Sequence, residues 1–574
     1  MVEQIGNLAD PVGLIVRLGT TGPISVRVGQ NIMSCIGEAS HGPGMVAMDL
    51  TSSREVDSIY QSGPLKEAGM LGFAQGLQAG YFVRVMGAGF KTASIDLDDG
   101  QSGELKQPAG ALNAANDGIV GNSAVAVIAD GTFHAHDVEY FPGDGTVGPY
   151  YLKHHNLIGP NPATGGDKNW VTVNAVQFTC VYTSPELVAG TVYVNKAKGT
   201  LTFFAGEEPS DYAEIESNIA YKTKKLTLQD GNARPEIYNN LTDQVAMEAA
   251  TKYSIKAHYE ADPVYTHLPV NGTYQLTGGA AGAAITEDDW NEAIWVLRDK
   301  IAETLTGTTT LTLCTNMVEQ DDSYDLIPVL DGHLREMEQE FMPCLGFIGM
   351  KQNEDESVAI QVTSNFSNRN LTIVANPWGA ERQEPRTNGW IARAAIEASL
   401  PLGASAAERS SLNSIKGMMG LLNTYRKETV TALHNRRLDI LVKTDAGLFP
   451  YYARSTAYDW QFAECVDNRT INYVLVVLKY ICDRYYFKKN TPNVRASFKT
   501  TLANVLNTLI QDEVVDRYTL EVDPVPGEKG QVKVHLQLEN VGHIKQFIVD
   551  FDVGIVNEYG HAVITAMTLP KGVA

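Results

Sequence analysis

Two short segments carry residue types that could bind a metal ion or a phosphate group. His134, His136 and Asp137 lie in a strand-like stretch, where alternate residues share a face, so both imidazoles could reach one metal ion. No third ligand stands at a useful spacing, and incidental surface histidines are the simpler interpretation. Residues 278–282 (Gly-Gly-Ala-Ala-Gly) follow a short strand and precede a helix, which is the position of a phosphate-binding loop.

The glycine segment lacks the other features that phosphate binding requires. It departs from the GxGxxG spacing, and no Lys-Ser or Lys-Thr pair follows it. Residues 287–289 (Glu-Asp-Asp) occupy the start of the next helix and would repel a phosphate. Residues 333–336 (His-Leu-Arg-Glu) do not form HExxH, and no GxSxG elbow is present. We therefore expect no enzymatic activity, no catalytic residue, no metal site and no cofactor.

The size and charge of the chain narrow its possible partners. Its 574 residues predict about four domains. A formal net charge of −22 disfavours broad nucleic-acid binding, because the surface repels phosphate backbones. The six cysteines include no CxxC pair and are expected to be reduced and mostly buried. With no signal peptide and no apolar run of bilayer length, we expect synthesis and folding in the cytoplasm.

Hydrophobic periodicity predicts the elements that position these residues. Short strands are expected near residues 13–18 and 24–28, and the polar stretch 96–122 is typical of a linker or the start of a new domain. Residues 123–228 alternate short apolar runs with Gly, Pro, Asn and Asp turns, which predicts an all-β barrel or sandwich.

A helix predicted at 287–304 opens the next part of the chain. Trp290, Ile294, Leu297 and Ile301 follow the helical period and should form its buried face. Thr286, with Asp289 three residues later, resembles a capping box. This helix therefore has both a defined start and a core-facing stripe.

Alternating helices and strands after this point predict an α/β layer. The expected helices are 327–340, 357–364, 389–397, 410–420 and 427–435, and the expected strands are 309–315, 344–350, 371–375, 438–443 and 451–455. Two longer helices and a set of terminal strands should follow, at 470–488, 494–512, 518–522, 531–538, 547–555 and 562–567.

Several segments, taken in order, resemble the tail sheath proteins of contractile phage tails and related contractile injection systems. Each segment is weakly specific alone, and the order is more informative. The segments are 32–45 with the strand 80–85, 276–290 with its Leu-x-Gly-Gly start, 433–441, 453–456 and 467–474. The resemblance covers about residues 10–95 and 270–574, and Ser455 departs from it as an extra residue in an Ala-Arg-Thr motif.

The resemblance implies a multidomain fold of mixed α/β class. It predicts an N-terminal arm at 1–28 that joins an inner sheath domain. An α/β middle domain would combine residues 29–95 and 235–400, with an inserted all-β outer domain at 96–234. Residues 401–574 would form the C-terminal inner sheath domain and end in a second strand arm.

The resemblance also implies a mechanical function. Sheath subunits of this family stack as six-membered rings around an inner tube and contract to drive the tube through a target cell envelope. The expected partners are further copies of the chain, the inner tail tube protein, and the baseplate and tail terminator proteins. We expect no direct contact with nucleic acid or membrane. The chain would lie in a virion tail or injection-system particle assembled in the host cytoplasm.

Terminal strands in this family join neighbouring subunits by adding to their sheets. The alternative interpretation of such strands is pairing within the subunit's own sheet. The candidate arm residues are Leu14, Ile15, Val16, Arg17 and Leu18 at the N-terminus, and Ala562, Val563, Ile564, Thr565, Ala566 and Met567 at the C-terminus.

A basic stretch near the C-terminus opposes the acidic average of the chain. Between residues 469 and 499, seven cationic side chains accompany a single acid, Asp483. In a sheath this patch would face an acidic tube surface; otherwise it is a solvated helix face that balances acids elsewhere. The seven residues are Arg469, Lys479, Arg484, Lys488, Lys489, Arg495 and Lys499.

Two other functions fit parts of the sequence. The chain could be a different structural virion protein, such as a baseplate or capsid component. It could also bind carbohydrate through the β domain. The aromatic residues that this second alternative would use are Tyr140, Phe141, Tyr150, Tyr151 and Trp170.

Overall fold

The computed structural model has a mixed α/β, multidomain fold, which confirms the fold class predicted from the sequence. The backbone of four terminal strands is described besides the main body of the chain. The main body comprises residues 31–100, 106–152, 157–158, 169–196, 199–231, 234–265, 267–304, 308–314, 326–350, 356–375, 378–379, 387–408, 414–418, 420–421, 425–526 and 531–542.

The helices α1–α10 of the described residues agree with most of the sequence periodicity. In chain order they are Ser53–Tyr60, Pro64–Ala74, Gln244–Thr251, Glu287–Thr304, Leu326–Gln339, Glu356–Ser364, Gly389–Ser399, Lys427–Asn435, Cys465–Tyr485 and Pro492–Gln511. The bounds predicted for α4 and α8 are those observed. None of the helices in this part of the chain is long and apolar enough to cross a bilayer.

The strands of the same residues, β1–β28, fall into an N-terminal, a central and a C-terminal set. The first fifteen are Ile15–Val16, Ile24–Ser25, Ile32–Gly37, Ala47–Leu50, Ala79–Arg84, Thr92–Asp98, Pro108–Asp117, Ala124–Pro142, Tyr150–Tyr151, Trp170–Val173, Val176–Val181, Thr191–Asn195, Thr200–Phe203, Glu214–Asp230 and Glu236–Leu241. The others are Ala257–Glu260, Gly272–Gln275, Thr310–Cys314, Leu345–Gly349, Leu371–Ala375, Trp378–Gly379, Thr387–Asn388, Asp439–Thr444, Gly447–Pro450, Val515–Pro524, Val532–Asn540, Phe551–Val556 and Ala562–Met567.

An eight-stranded sheet in the order β24-β23-β20-β19-β18-β3-β5-β4 forms the centre of the α/β domain. The six inner strands are parallel, and the strand at each edge is antiparallel to its neighbour. Helices cover both faces: Gly346 of β19 lies against Leu330 and Leu334 of α5, whereas Gly349, three residues on, lies against Trp390 of α7. This double cover explains why β18, β19 and β20 are buried at every position.

Two of the predicted domain bounds differ from the observed strand pairing. β23 and β24 extend the central sheet, so the α/β domain continues to Pro450 and does not end at residue 400. The stretch 96–122 is not a linker, because β6 and β7 pair with β16 in a three-stranded sheet. The outer β domain also passes residue 234, since β15 pairs with β14 and β17 pairs with β8.

The β domain is built around two long strands. β8 and β14 run antiparallel from Ala124–Asp230 at one end to Pro142–Glu214 at the other, with one irregularity between Lys222 and Lys224. Their inward side chains join a hydrophobic core separate from that of the central sheet. The all-β prediction for residues 123–228 is confirmed.

A C-terminal unit follows the central sheet. Helices α9 and α10 pack together with the β25–β26 hairpin around a third hydrophobic core. Two predictions for the chain between α7 and α9, the helix at 410–420 and the strand at 451–455, are wrong. Described residues 414–418 form no helix, because Gly417 takes a φ of 83° and Ile415 donates its N–H to Leu448. The strand predicted at 451–455 lies instead at Gly447–Pro450.

Candidate functional site

The predicted arm strands form two isolated strand pairs. β1 pairs with β2, and β28 pairs with β27 in an antiparallel register that joins Phe551 to Met567 and Val556 to Ala562. Within the described residues, neither pair adds to another sheet of the chain. Three predicted arm residues, Leu14, Arg17 and Leu18, lie outside the described residues. The expected exchange between subunits stays a prediction.

The β25–β26 hairpin offers open edges to such strands. It pairs over nine registered positions from Val515–Asn540 to Pro524–Val532. Among the described strands, β25 and β26 have no partner other than each other, so each keeps one unpaired edge. Tyr518 anchors the hairpin to α10 by a 3.0 Å hydrogen bond from its hydroxyl to Asn507 Oδ1. An unpaired edge of this length is a template for a strand of another chain.

With one exception, the predicted basic residues lie in the second half of α9, on the turn after it and in the first half of α10. Lys488 Nζ lies 4.2 Å above the Tyr485 ring, and Arg495 donates a 2.6 Å hydrogen bond to Asn490 Oδ1. Thr491 caps α10 by accepting from the Val494 N–H, which fixes the turn between the helices. We call the following six residues the basic surface: Lys479, Arg484, Lys488, Lys489, Arg495 and Lys499.

Exposure differs across the basic surface. Arg484, Lys488, Lys489 and Lys499 are exposed. Lys479 is half-buried and donates from Nζ to the Glu340 carbonyl at 3.1 Å, so its charge lies beside the α/β domain. The exposed four supply a positive patch without a carboxylate on the adjoining turn of residues 486–491.

Arg469 does not belong to this surface, and its prediction as a tube-facing residue is wrong. Its side chain is only 4% exposed. It lies 3.1 Å from Glu397 Oε1 and donates to the carbonyls of Glu397, Pro401 and Ala404. The first turn of α9 packs against the α/β domain, which buries the guanidinium that sequence alone placed with the later cations.

Arg469 instead joins a buried ionic network with Arg393, Glu397 and Asp439. Arg393 donates to Asp439 at 2.8 Å and to Glu397 at 2.7 Å, and all three of these side chains are fully buried. Burial acts to lower the pKa of Arg393, but Asp439 and Glu397 together raise it above its ordinary value. The network ties α7 and β23 of the central sheet to α9, the helix that carries part of the basic surface.

Sequence reasoning missed an exposed aromatic turn beside the basic surface. Phe487 is fully exposed and has a φ of 62°, and Tyr486 is 66% exposed. A left-handed conformation is unusual for a bulky residue and is costly unless function or context requires it. The available signal was the run of three aromatic residues, 485–487, at a predicted helix end.

Two backbone amides of the glycine segment 278–282 form hydrogen bonds within the chain. The N–H of Gly279 donates to Asn122 Oδ1, and that of Ala280 donates to the Lys91 carbonyl, so these amides are already bonded within the chain. Thr286 donates both its N–H and its hydroxyl to the Asp289 carboxylate, and the bond from the N–H is the half of the predicted capping box in which the acidic side chain accepts. The side chains of His134 and His136 lie outside the described residues, among which no cluster of three metal-ligating side chains occurs.

The aromatic residues of the β domain divide between core and surface. Tyr150 is buried, with its ring centroid 5.9 Å from that of Phe141. Tyr140 and Tyr151 are 63% and 54% exposed, and the Tyr140 hydroxyl donates to Glu216. The two exposed rings alone do not define a carbohydrate site.

Comparison with known proteins identifies the fold. A scan against models of protein families and a search of curated proteins both found no match. Among solved structures, a sheath tail protein from Desulfitobacterium hafniense is similar with a TM-score of 0.50 and 10% identity, over 94% of this chain and 97% of that one. A sheath tail protein from Listeria innocua gives a TM-score of 0.50 and 11% identity, over 90% and 96%. The chain therefore has the fold of sheath tail proteins, and the resemblance inferred from the sequence is confirmed at the level of the fold.

Proposed function

We propose that this chain is a structural, non-enzymatic subunit of a contractile tail sheath. The observation that carries the proposal is the fold likeness to two sheath tail proteins, which spans 90% or more of each chain. A shared fold alone does not determine function. The isolated terminal strands, the open hairpin and the basic surface support the proposal, because a polymer around a tube needs links between subunits and a surface that contacts the tube.

Strand exchange would hold neighbouring subunits together. In this proposal the terminal strands β1 and β28 add to the open edges of the β25–β26 hairpin in adjacent copies. Each added backbone hydrogen bond contributes only about 0.5–1.5 kcal/mol, but every subunit makes several. Because both termini engage different neighbours, the links are multivalent and the lattice is far more stable than any one of them.

The exposed part of the basic surface would grip the inner tube. Arg484, Lys488, Lys489 and Lys499 suit an acidic tube surface, and exposed ion pairs are individually weak. A weak, salt-sensitive grip allows the sheath to release the tube when it contracts. Phe487 at the adjoining turn would add one apolar contact, which requires a matching hollow on the tube.

The energy for movement would come from the lattice itself. Six-membered rings would assemble on the tube in an extended, kinetically trapped state, between a baseplate and a tail terminator. Triggering at the baseplate would release the rings into a shorter and wider state and drive the tube through the target envelope. The particle would be a virion tail or a related injection device assembled in the host cytoplasm.

Deletion of the C-terminal strand pair tests the proposed assembly. A variant that ends before residue 551 should keep the monomer fold, because β27 and β28 pair only with each other among the described strands. Sedimentation velocity at rising concentration should show large polymers for the full chain and monomers for the deletion. Circular dichroism would control for misfolding. Equal polymer formation by the two proteins would contradict strand exchange.

A further inference from the structure

An arginine-rich cleft, whose lining shares no residue with the basic surface, opens on the α/β domain. It encloses about 290 Å³, and three of its lining residues are Arg436, Arg437 and Arg454. Tyr458 closes one wall, with the Arg437 guanidinium 3.7 Å from its ring centroid. Of the described residues, those that line the cleft include no carboxylate. We call it the arginine cleft.

Two of the arginines are held by backbone carbonyls. Arg437 is 8% exposed and donates to the carbonyls of Thr363, Phe366 and Thr456. Arg454 donates from Nη1 to the His434 carbonyl at 2.9 Å. The carbonyls of Thr363 and Phe366 lie at the end of α6, and that of His434 lies at the end of α8. Both arginines therefore also cap helix C-termini.

Helix capping does not balance the charge of the cleft. Each helix C-terminus supplies about −0.5 elementary charge. Glu464 acts on Arg454 and adds one further negative charge, so that two helix ends and one carboxylate supply about −2 elementary charges. The three guanidinium groups of the cleft supply +3. About one positive charge remains uncompensated. In addition, Arg454 Nε is buried without a hydrogen-bond partner in the described residues.

An uncompensated positive charge suits one carboxylate. Burial lowers the pKa of Arg454, and the nearby Arg437 lowers it further, whereas Glu464 raises it. An incoming anion would relieve this repulsion. Guanidinium groups bind carboxylates through paired, charge-assisted hydrogen bonds, which adds geometric specificity. Tyr458, which lines the cleft and is 66% exposed, provides an aromatic ring of the kind that binding sites use as an anchor.

We propose that the arginine cleft receives a carboxylate side chain from a second copy of this chain. The inference rests on the proposed function, which brings many copies together. Charge complementarity favours a second copy as the occupant of the cleft. Each copy has 67 acidic and 45 basic residues, so its neighbours offer an excess of carboxylates to a local positive site. The contact is independent of strand exchange and of the tube.

Reversal of one exposed charge tests the contact. Arg436 follows α8 at its C-terminal end and is exposed, so Arg436→Glu should fold. Lys427→Glu, an equal charge change at the exposed start of the same helix, is the matched control. Assembly of the full chain is followed by light scattering at low and high salt, with thermal unfolding to check folding. Arg436→Glu should slow assembly about tenfold at low salt and flatten its salt dependence, while the control stays near wild type.

Other outcomes overturn the inference. Assembly of Arg436→Glu with wild-type rate and salt dependence would exclude the contact while leaving the sheath proposal intact. A wild-type chain that stays monomeric would overturn both proposals together. Stabilisation of the unassembled wild-type chain by inorganic phosphate, absent in Arg436→Glu while assembly is unchanged, would assign the cleft to a free anion. A milder Arg436→Gln variant separates loss of charge from repulsion and should show a smaller effect in the same direction.

Discussion

Removal of Arg469 should loosen α9 from the α/β domain. Arg469→Met leaves Glu397 without its second cation and removes the donor from the carbonyls of Glu397, Pro401 and Ala404. Breaking one partner of a buried ion pair typically costs about 3–5 kcal/mol, because the other charge stays buried. We expect a loss of this size in the free energy of opening of α9. That is a large part of the roughly 5–15 kcal/mol that stabilises a domain.

Peptide-level hydrogen exchange measures this local free energy without assuming two-state unfolding of a multidomain chain. Exchange in peptides from α9 should accelerate in Arg469→Met, while peptides from the long strand β14 of the β domain should not change. Arg517→Met is the matched control, because Arg517 pairs with Glu539 on the surface and exposed pairs contribute little. It should leave α9 unchanged.

A double-mutant cycle separates the ionic network from packing. Arg469→Met combined with Glu397→Gln removes one charge of each sign and leaves the neutral Arg393–Asp439 pair. The double variant should therefore be less destabilised than the two single variants added together, by roughly 1–3 kcal/mol. Strict additivity, or an Arg469→Met effect no larger than that of Arg517→Met, would refute the network as the link between the domains.

Further predictions concern a buried histidine and the proposed tube contact. Burial and the nearby Arg298 lower the pKa of His333 from 6.5 to about 3. Between pH 6.5 and pH 3 the unfolded chain therefore binds one more proton at this residue than the folded chain does. The free energy of unfolding consequently falls as the pH falls through this range. At pH 5 this amounts to about 2 kcal/mol, and unfolding of His333→Gln should be less sensitive to acid. A Lys488→Glu/Lys489→Glu variant should keep its fold but bind the cognate tube protein more weakly and with less salt dependence in co-sedimentation. The control variant Lys427→Glu should bind the tube protein as the wild type does. Phe487→Ser should leave the unfolding midpoint unchanged, because the ring makes no buried contact, and should weaken the same tube binding; unchanged binding would remove Phe487 from the contact.

Helical periodicity predicted the parts of the fold where local and tertiary signals agree. The stripe of Trp290, Ile294, Leu297 and Ile301 is buried at every position, and Asp289 accepts from the Thr286 N–H, which is one half of the expected capping box. The parallel strands β18 and β20 were also placed correctly, because continuous apolar runs between helices are typical of a doubly covered sheet.

Other segments depend on contacts that a single sequence does not show. Residues 108–117 are rich in Gly, Ala and Asn, yet they form a strand because β6 and β16 pair on either side of it. Gly417 ends a helical pattern by its left-handed backbone conformation. The pairing of β23 with β20 joins residues 65 positions apart, and with β24 it extends the central sheet past residue 400 to Pro450.

In the basic stretch 469–499, too, sequence shows which residues are cationic but not which of them tertiary contacts bury. Composition grouped Arg469 with the six residues of the basic surface, and sequence alone could not separate it from them. Arg469 lies on the face of α9 that packs on the central sheet, and its partners, the Glu397 carboxylate and the carbonyls of Glu397, Pro401 and Ala404, lie 65–72 residues earlier in the chain. The arginine cleft was equally hidden, because its residues meet only when α8 and the segment after β24 come together.

Electron microscopy of the purified full-length chain at high concentration, with and without the cognate tube protein, tests the central claim most directly. We expect hollow, striated tubes built from stacked six-membered rings, and we expect the tube protein to promote their formation. Dispersed monomers that persist at high concentration even with the tube protein present would contradict it.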